Sequence, residues 1–128
     1  MSNSNENNRP DIAVRLGTIA DGVSIALLYA HKTMLLRNAA LVFDTAVNHT
    51  AAANFVFFLR ERMGAESEDV TNPVTTEEDV ALGTPLDLGV DDEYILEKGH
   101  VLELVVGETG APADVNGTFT LDYQVKGN

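Results

Sequence analysis

Alternation of apolar and polar residues is clearest near the C-terminus of the chain. The apolar members of this pattern are Phe119, Leu121, Tyr123 and Val125. Because successive side chains of a strand point to opposite faces of a sheet, the pattern predicts an antiparallel strand with one buried face. The apolar run VLELVV precedes it, and Asn116-Gly117 between the two is suited to a tight turn. We therefore expect these strands to form the edge of a β-sandwich.

A second alternating segment lies near the N-terminus of the chain, after the first ten residues. Ile12, Val14 and Leu16 are separated by Ala13 and Arg15, and the run closes at Asp21-Gly22. Asp-Gly between apolar segments is a strong signal for a hairpin turn. The pattern thus predicts a first strand followed by a hairpin.

The segment from 23 to 63 is ambiguous because it contains neither Gly nor Pro and is rich in Ala and Leu. Its first half, 23–43, fits either an amphipathic helix or two strands. The polar triplet His31-Lys32-Thr33 separates SIALLYA from MLLRNAALVF, as a turn between strands does. This interruption favours two strands.

The middle of the chain contains one strongly apolar segment and two polar ones. NFVFFLRER, at 54–62, is apolar on both faces at its centre and predicts a central strand covered on both sides. TAVNHTAAA, at 45–53, is typical of a connecting loop. MGAESEDVTNPVTTEED, at 63–79, is acidic and contains a proline, which indicates an exposed excursion.

These segments together predict an all-β fold. Turn signals recur about every ten residues without βαβ alternation, which favours an antiparallel β-sandwich or jelly roll of about eight strands. A chain of 128 residues fits one domain, which we place at 11–128. The polar start MSNSNENNRP, at 1–10, predicts a flexible N-terminal arm.

Composition restricts what can hold this fold together. Hydrophobic residues make up 45% of the chain, and Cys and Trp are absent. Neither a disulfide framework nor a thiolate metal site is available, so packing must stabilise the domain. The first residues lack the pattern of a secretory signal, and polar residues interrupt each apolar run before it reaches membrane-spanning length. We therefore expect no leader and no membrane partner.

Charge is strongly asymmetric along the sequence. The net charge is −12, and 13 of the 20 acidic residues lie between Glu61 and Glu103, where only Arg62 and Lys98 oppose them. Such a surface repels phosphate backbones, so we expect no nucleic-acid partner. A basic protein partner, a solvated face and adaptation to high salt all remain compatible with this charge.

Candidate catalytic and metal-binding groups do not form a recognised motif. His31, His49 and His100 are far apart in sequence, and no serine lies in a G-x-S-x-G context. The acidic triplets at 77–79 and 91–93 offer oxygen ligands of the kind that calcium takes, but neither matches the spaced calcium-loop pattern. The sequence predicts no enzyme, no metal site and no cofactor.

Three segments resemble small virion proteins of tailed bacteriophages. EKGHVLELVVGETGAPADVNGTFTLDYQV, at 97–125, resembles their turn, V-L-x-L-x-V strand, Gly-rich hairpin and T-F-T-L-x-Y-x-V strand, with His100 where Asp is more usual. AANFVFFLRERMG is similar to their central strand, and DIAVRLGTIADGVSIALLYA to their opening hairpin. The resemblance implies a β-sandwich that decorates or cements capsids, or belongs to tail and fibre assemblies, usually as a trimer or other homo-oligomer.

From the resemblance we expect a decoration protein that binds the major capsid protein lattice and stabilises it. It would be made in the host cytoplasm and reside on the capsid surface of the virion, with a trimer as the favoured oligomer. The candidate contacts, from the arm and the 45–53 loop, are Asn3, Asn5, Asn7, Arg9, Pro10, Val47 and His49. The alternatives are a tail, neck or fibre module and a carbohydrate-binding sandwich, although the absence of Trp disfavours sugar binding.

Overall fold

The computed structural model describes residues 11–20, 22–90 and 94–126, and this part of the chain contains ten β-strands and no helix. The strands are β1 (Asp11–Ile19), β2 (Ser24–Tyr29), β3 (Met34–Phe43), β4 (Asn54–Met63), β5 (Glu66–Asp69), β6 (Val74–Thr75), β7 (Leu86–Asp87), β8 (Tyr94–Leu96), β9 (Val101–Thr109) and β10 (Val115–Val125). Within the described ranges, no helix is long and apolar enough to cross a bilayer. The expected arm, 1–10, lies outside them.

The strands form two antiparallel sheets that pack face to face. In the first sheet the order is β1-β10-β3, and both β7 and β8 pair with β3. In the second the order is β2-β9-β4, and both β5 and β6 pair with β4. β7 and β8 pair with successive parts of β3, and β5 and β6 pair with successive parts of β4. The ten strands therefore fill eight strand positions in the two sheets. The expected antiparallel sandwich of about eight strands is confirmed.

The topology is that of a long hairpin rolled up on itself. Its turn is the two-residue loop Gly64-Ala65 between β4 and β5, where Gly64 has a φ of 66°. A positive φ matches the turn to the twist of the flanking strands, which explains a glycine here. From this turn outward, β3 pairs with β7 and β8, β2 with β9, and β1 with β10. Such a rolled hairpin, divided between two sheets, is a jelly roll.

The core lies between the sheets and consists of the apolar side chains that alternate along the long strands. The largest fully buried side chains are Phe55, Phe57, Phe119, Ile19, Leu36, Leu41, Leu59, Leu88, Leu96, Leu102, Leu104 and Leu121. Burial of one such side chain stabilises the fold by roughly 1.5–3 kcal/mol. The alternation of β10 therefore has the predicted meaning, although Tyr123 is only half-buried and Val125 is exposed at the end of the strand.

Both predicted hairpins at Asp-Gly and Asn-Gly are wrong. β1 and β2 belong to different sheets, so the connection that contains Gly22 crosses between them. Asn116 and Gly117 lie inside β10, which is flanked by β1 and β3 and is not an edge strand. A Cβ at Gly117 would lie only 3.2 Å from the Val42 carbonyl oxygen and 3.3 Å from the Phe43 ring. Close packing, rather than a turn, accounts for this glycine.

Three further predictions differ in outcome. Segment 23–43 forms two strands, as the polar triplet indicated. β4 is central, but its outer face is only half-buried, so double coverage is wrong. The acidic segment 63–79 is not wholly exposed, since Val70, Thr71 and Thr76 are buried. The hydroxyl of Thr71 accepts the Leu59 N–H at 2.9 Å, which fixes the excursion to β4.

Candidate functional site

All three lysines of the chain converge on one end of the sandwich, around Thr33. Lys32 precedes Thr33 in the connection from β2 to β3. The backbone N–H of Lys126, just after β10, donates to the Thr33 carbonyl at 2.9 Å, and that of Lys98 donates to the Thr33 hydroxyl at 3.3 Å. All three lysines are exposed, as is His31. We call this part of the surface, Lys32, Lys98, Lys126 and His31, the lysine end.

An apolar groove borders the lysine end. It is lined by Ile12, Leu28, Tyr29, His31, Lys32, Met34, Tyr123 and Val125. Tyr29 and Val125 are 53% and 40% exposed, which places two large apolar side chains in contact with solvent. The ring of Tyr29 packs edge-on against the His31 imidazole, with ring centroids 4.8 Å apart. The groove therefore combines an apolar floor with a basic rim.

A buried carboxylate lies beneath this end. Glu61, on the inner face of β4, is only 3% exposed. Its Oε1 accepts the hydroxyl of Tyr94 at 2.5 Å, and its Oε2 lies 2.5 Å from Nδ1 of His100 and accepts the Glu97 N–H at 3.4 Å. Burying a carboxylate is costly unless hydrogen bonds replace its hydration, and these three donors do so.

The Glu61 network also affects the pKa of the Tyr94 hydroxyl and the position of Lys98. Burial, and then the hydrogen bond to Glu61, raise the pKa of the Tyr94 hydroxyl far above its usual range. Since Glu61 lies in one sheet and Tyr94 in the other, the bond between them ties the sheets together. The bonds to Glu97 and His100 hold both sides of Lys98, so the network positions one lysine of the lysine end.

The expected acidic surface between Glu61 and Glu103 is wrong at both of its limits. Glu61 is buried, and the side chain of Glu103 is only 12% exposed. On the outer face of the second sheet, Glu103 accepts hydrogen bonds from Arg60 at 3.0 Å and from Arg62 at 2.9 Å. These arginines offset the charge of Glu103, which sits in a ladder across β4 and β9 rather than on an anionic face.

The opposite end of the sandwich presents exposed acidic side chains with no lysine or arginine in its described connections. These connections are 20 with 22–23, 44–53, 76–85 and 110–114. Their acidic side chains are all exposed and are Asp44, Glu77, Glu78, Asp79 and Asp114. We call this set the acidic end. Leu82, in the same 76–85 connection, is 65% exposed.

Hydrogen bonds of Thr76 and His49 close the core beneath the acidic end. The Thr76 hydroxyl, fully buried, accepts the Phe55 N–H at 2.9 Å and lies 2.7 Å from Nδ1 of His49. Nε2 of His49 lies 3.1 Å from the Ala113 carbonyl, which can only accept, so this nitrogen carries a proton. The imidazole thus joins the 44–53, 76–85 and 110–114 connections.

The structure changes the interpretation of the predicted contact residues. Val47 is 2% exposed and pairs through its backbone with Val80, so its side chain belongs to the core and not to a binding rim. His49 is half-buried and bonded to two neighbouring connections. The remaining candidates, Asn3, Asn5, Asn7, Arg9 and Pro10, lie outside the described residues.

The acidic triplets do not form a recognisable metal site in the described part of the chain. Within 11–20, 22–90 and 94–126, no three His, Asp or Glu side chains are grouped so that they could share a metal ion. The triplet at 77–79 belongs to the acidic end, and the triplet at 91–93 lies outside the described residues.

Sequence reasoning missed both Glu61 and the convergence of the lysines. Glu61 continues the inward series of Phe55, Phe57 and Leu59 by one step of two residues, and that step is the signal that could have identified it. The lysines carry no local signal, because they flank strands that are far apart in sequence. Only the rolled-hairpin topology brings them together.

In comparisons of the chain with protein-family models, with curated proteins and with solved structures, no match was found. Jelly rolls occur in capsid proteins, lectins and other unrelated proteins, so the topology does not determine the function. The surfaces at the two ends are the features from which function can be argued.

Proposed function

We propose that this protein is a structural virion protein that decorates and stabilises a bacteriophage capsid by binding the major capsid protein lattice. The observation that carries the proposal is the open flank of the jelly roll. There, edge strands β1 and β2, one from each sheet, lie beside the apolar groove. The arm at 1–10 leads directly into β1. A backbone edge, an apolar groove and a basic rim thus lie together, and each of them can bind another protein surface.

Each open edge offers only a short regular section to a partner strand, which limits aggregation through these edges. In β1 the pairing with β10 is regular from Asp11 to Arg15, and then shifts at a bulge before Gly17. In β2 a similar shift lies between Ala26 and Leu28. Bulges restrict strand addition at a sheet edge, so a partner strand can pair with only a short section of each. This geometry supports specific docking rather than aggregation.

The proposed mechanism is mass action. A protein that binds the assembled lattice, but not the free subunits, stabilises the lattice by an amount that rises with its concentration relative to its Kd. The resemblance of 97–125 to phage virion proteins supports a capsid as that lattice. This protein is rich in carboxylates and has a net charge of −12, which favours a binding site on the capsid that includes basic groups.

The test is co-sedimentation of the purified protein with capsids that lack it. Wild-type protein is expected to bind saturably and to raise the temperature at which capsids open. Tyr29→Glu, which places a charge in the groove, is expected to weaken binding about tenfold or more. Ile95→Glu is the matched control, because Ile95 is similarly exposed, at 41%, but does not line the groove.

Two outcomes would overturn this function. Absence of binding to capsids at any accessible concentration would exclude decoration. Binding to purified tails, necks or fibres but not to capsids would instead assign the chain to those assemblies. Both measurements use the full chain, so the arm at 1–10 can contribute.

A further inference from the structure

The two ends of the sandwich lie at opposite ends of the same strands and differ in charge, because the three lysines lie with exposed Glu97 at one end and the carboxylates of the acidic end lie at the other. β3 begins next to the lysine end at Met34 and reaches the acidic end at Phe43, and its ten residues span roughly 30 Å. The lysine end carries every lysine of the chain, whereas the described connections of the acidic end contain no lysine or arginine. One end of a molecule cannot reach the other, but the ends of two copies are complementary.

Leu82 is presented at the acidic end by a fixed turn. The Thr84 N–H donates to the Ala81 carbonyl at 3.0 Å, which closes a four-residue turn with Leu82 at its second position. Gly83, at the third position, has a φ of 84°, as a type II turn requires. The backbone bridge between Val80 and Val47 anchors the base of this turn. Leu82 is therefore held in solvent by hydrogen bonds and does not depend on a mobile loop for its exposure.

The apolar groove and the lysines beside it complement Leu82 and the carboxylates that precede Leu82. Its floor offers the exposed side chains of Tyr29 and Val125, and covering them removes apolar surface from water. Lys32 lies on its rim, and Lys98 and Lys126 lie around Thr33 next to it. Glu77, Glu78 and Asp79 precede Leu82 by only three to five residues. A leucine seated in the groove would bring these carboxylates to the lysines.

We propose that copies of this chain associate head to tail, with Leu82 of one copy seated in the apolar groove at the lysine end of the next. Opposite charges steer the encounter and set its orientation, while the leucine and the groove supply the apolar contact. Such an interface is heterologous: it joins different surfaces of the two copies. A heterologous contact gives a closed ring if the rotation between neighbours closes, and an open filament if it does not.

The occupant of the groove is a second copy because this chain itself carries the complementary surface. An unrelated partner would need its own acidic segment with an exposed apolar residue. The inference does not require a capsid, so it is tested with the isolated protein. It uses the same groove as the proposed capsid contact, so a copy whose groove holds Leu82 can bind a capsid only through the edges of β1 and β2.

The experiment is sedimentation velocity of the full chain over a range of concentrations, with four proteins. These are the wild type, Leu82→Asp, Tyr29→Glu and the control Ile95→Asp. The wild type and the control are expected to associate equally. Each end variant alone is expected to associate at least about tenfold more weakly. Raising the salt from about 0.05 M to about 0.5 M is expected to weaken wild-type association, because screening shortens the range of the charges.

Mixing the two end variants identifies the orientation. Leu82→Asp retains an intact groove, and Tyr29→Glu retains an intact Leu82, so the mixture has one working interface per pair. We expect a one-to-one heterodimer and no larger species. A strictly monomeric wild type would overturn the proposal, as would unchanged association of Leu82→Asp. Association of the wild type without rescue in the mixture would also overturn it, since that result indicates a symmetric contact.

The two proposals fail in different ways. If the isolated protein stays monomeric and yet binds capsids, head-to-tail association is wrong and decoration stands. If the mixture rescues association but no capsid binding is found, the interface stands and decoration is wrong. An acidic peptide that binds the groove of a monomeric wild type would assign the groove to another partner and likewise overturn self-association.

Discussion

The two ends of the jelly roll close the same core with different chemistry. At the lysine end a buried carboxylate, Glu61, accepts three hydrogen bonds beneath the surface that carries the three lysines. At the acidic end the core is closed by the hydroxyl of Thr76 and the ring of His49, beneath a surface of negative charge. A hydrogen-bonded carboxyl group thus lies beneath the lysines at one end, whereas a hydroxyl and an imidazole lie beneath the carboxylates at the other. The comparison predicts that replacing the hydrogen-bonding groups that close the core costs more stability at the lysine end than at the acidic end.

Replacing Glu61 by Ala should have the largest effect. The change removes a buried carboxylate and leaves Tyr94, His100 and the Glu97 N–H without their acceptor. We expect a loss of about 3 kcal/mol in the free energy of unfolding. Urea titration measures this loss. Glu68→Gln is the matched control, because Glu68 is exposed on β5 directly opposite Glu61. Equal effects of the two substitutions would contradict the importance of the network.

Tyr94→Phe should cost about 1.5–2 kcal/mol at neutral pH, since it removes a hydrogen bond to a charged group. Because folding raises the pKa of Tyr94, the contribution of its hydroxyl to stability is fully present below about pH 10, where the unfolded tyrosine is also protonated. As pH rises further the unfolded state ionises first, and stability falls. The difference between wild type and Tyr94→Phe should therefore shrink above pH 10. Urea titrations at pH 8 to 11 measure it.

Tyr29→Phe is the control for this alkaline effect, because Tyr29 is exposed and lies in the groove rather than in the Glu61 network. Its stability should follow that of the wild type at each pH. A wild-type advantage over Tyr94→Phe that stayed constant to pH 11 would show that the Glu61 bond does not retain the Tyr94 proton.

At the acidic end, Thr76→Val should cost about 1–2 kcal/mol. Valine keeps the shape of the side chain but leaves the buried Phe55 N–H without an acceptor and removes the partner of His49. Thr75→Val is the matched control, since Thr75 ends β6 and its side chain bonds locally to Glu77. Thermal unfolding of the two variants compares them. A larger loss for Thr76→Val than for Glu61→Ala would reverse the ranking of the two ends.

The smallest effect on stability is expected for the surface charges of the lysine end. Replacing Lys98 or Lys126 by Gln removes an exposed charge but leaves the backbone N–H that binds Thr33. We expect each change to alter the free energy of unfolding by no more than about 0.5 kcal/mol. The double variant should nevertheless weaken head-to-tail association in sedimentation velocity. Loss of stability without loss of association would show that these lysines support the fold instead.

The fold class could be predicted because period-two patterning marks strands independently of their partners. Phe119 and Leu121 are buried where the alternation places them, and His31-Lys32-Thr33 separates two strands as expected. The number of strand positions was also predictable, since turn signals divide the chain at nearly regular intervals. The division of β5 from β6, and of β7 from β8, was not, because each pair shares one long neighbour.

Pairing could not be predicted from turn dipeptides. A hairpin signal assumes that consecutive strands are neighbours in one sheet, but in a jelly roll consecutive strands often lie in different sheets. Gly22 therefore serves a crossing between sheets. Gly117 is explained by close contact with Val42 and Phe43, which no local pattern reveals.

The candidate surfaces were less predictable than the fold. Glu61 follows from alternation once β4 is assigned, but His100 and Tyr94 reach it from residues that are more than 30 positions away. The residues of the lysine end come from three segments that lie together only in the folded jelly roll. Acidic clusters in the sequence likewise indicated one anionic region, whereas the structure pairs Glu103 with Arg60 and Arg62 and buries Glu61.

The rolled hairpin also determines when the chain can fold during its synthesis. Asp11 pairs with Asp122, so the first strand made must wait for the last one. At typical rates of translation this interval is roughly 5 to 20 seconds. The neighbours β4 and β5 meet early, and each later strand then finds a partner that was made progressively earlier. Synthesis thus proceeds from the N-terminus, whereas strand pairing is expected to proceed from the middle of the chain towards both termini.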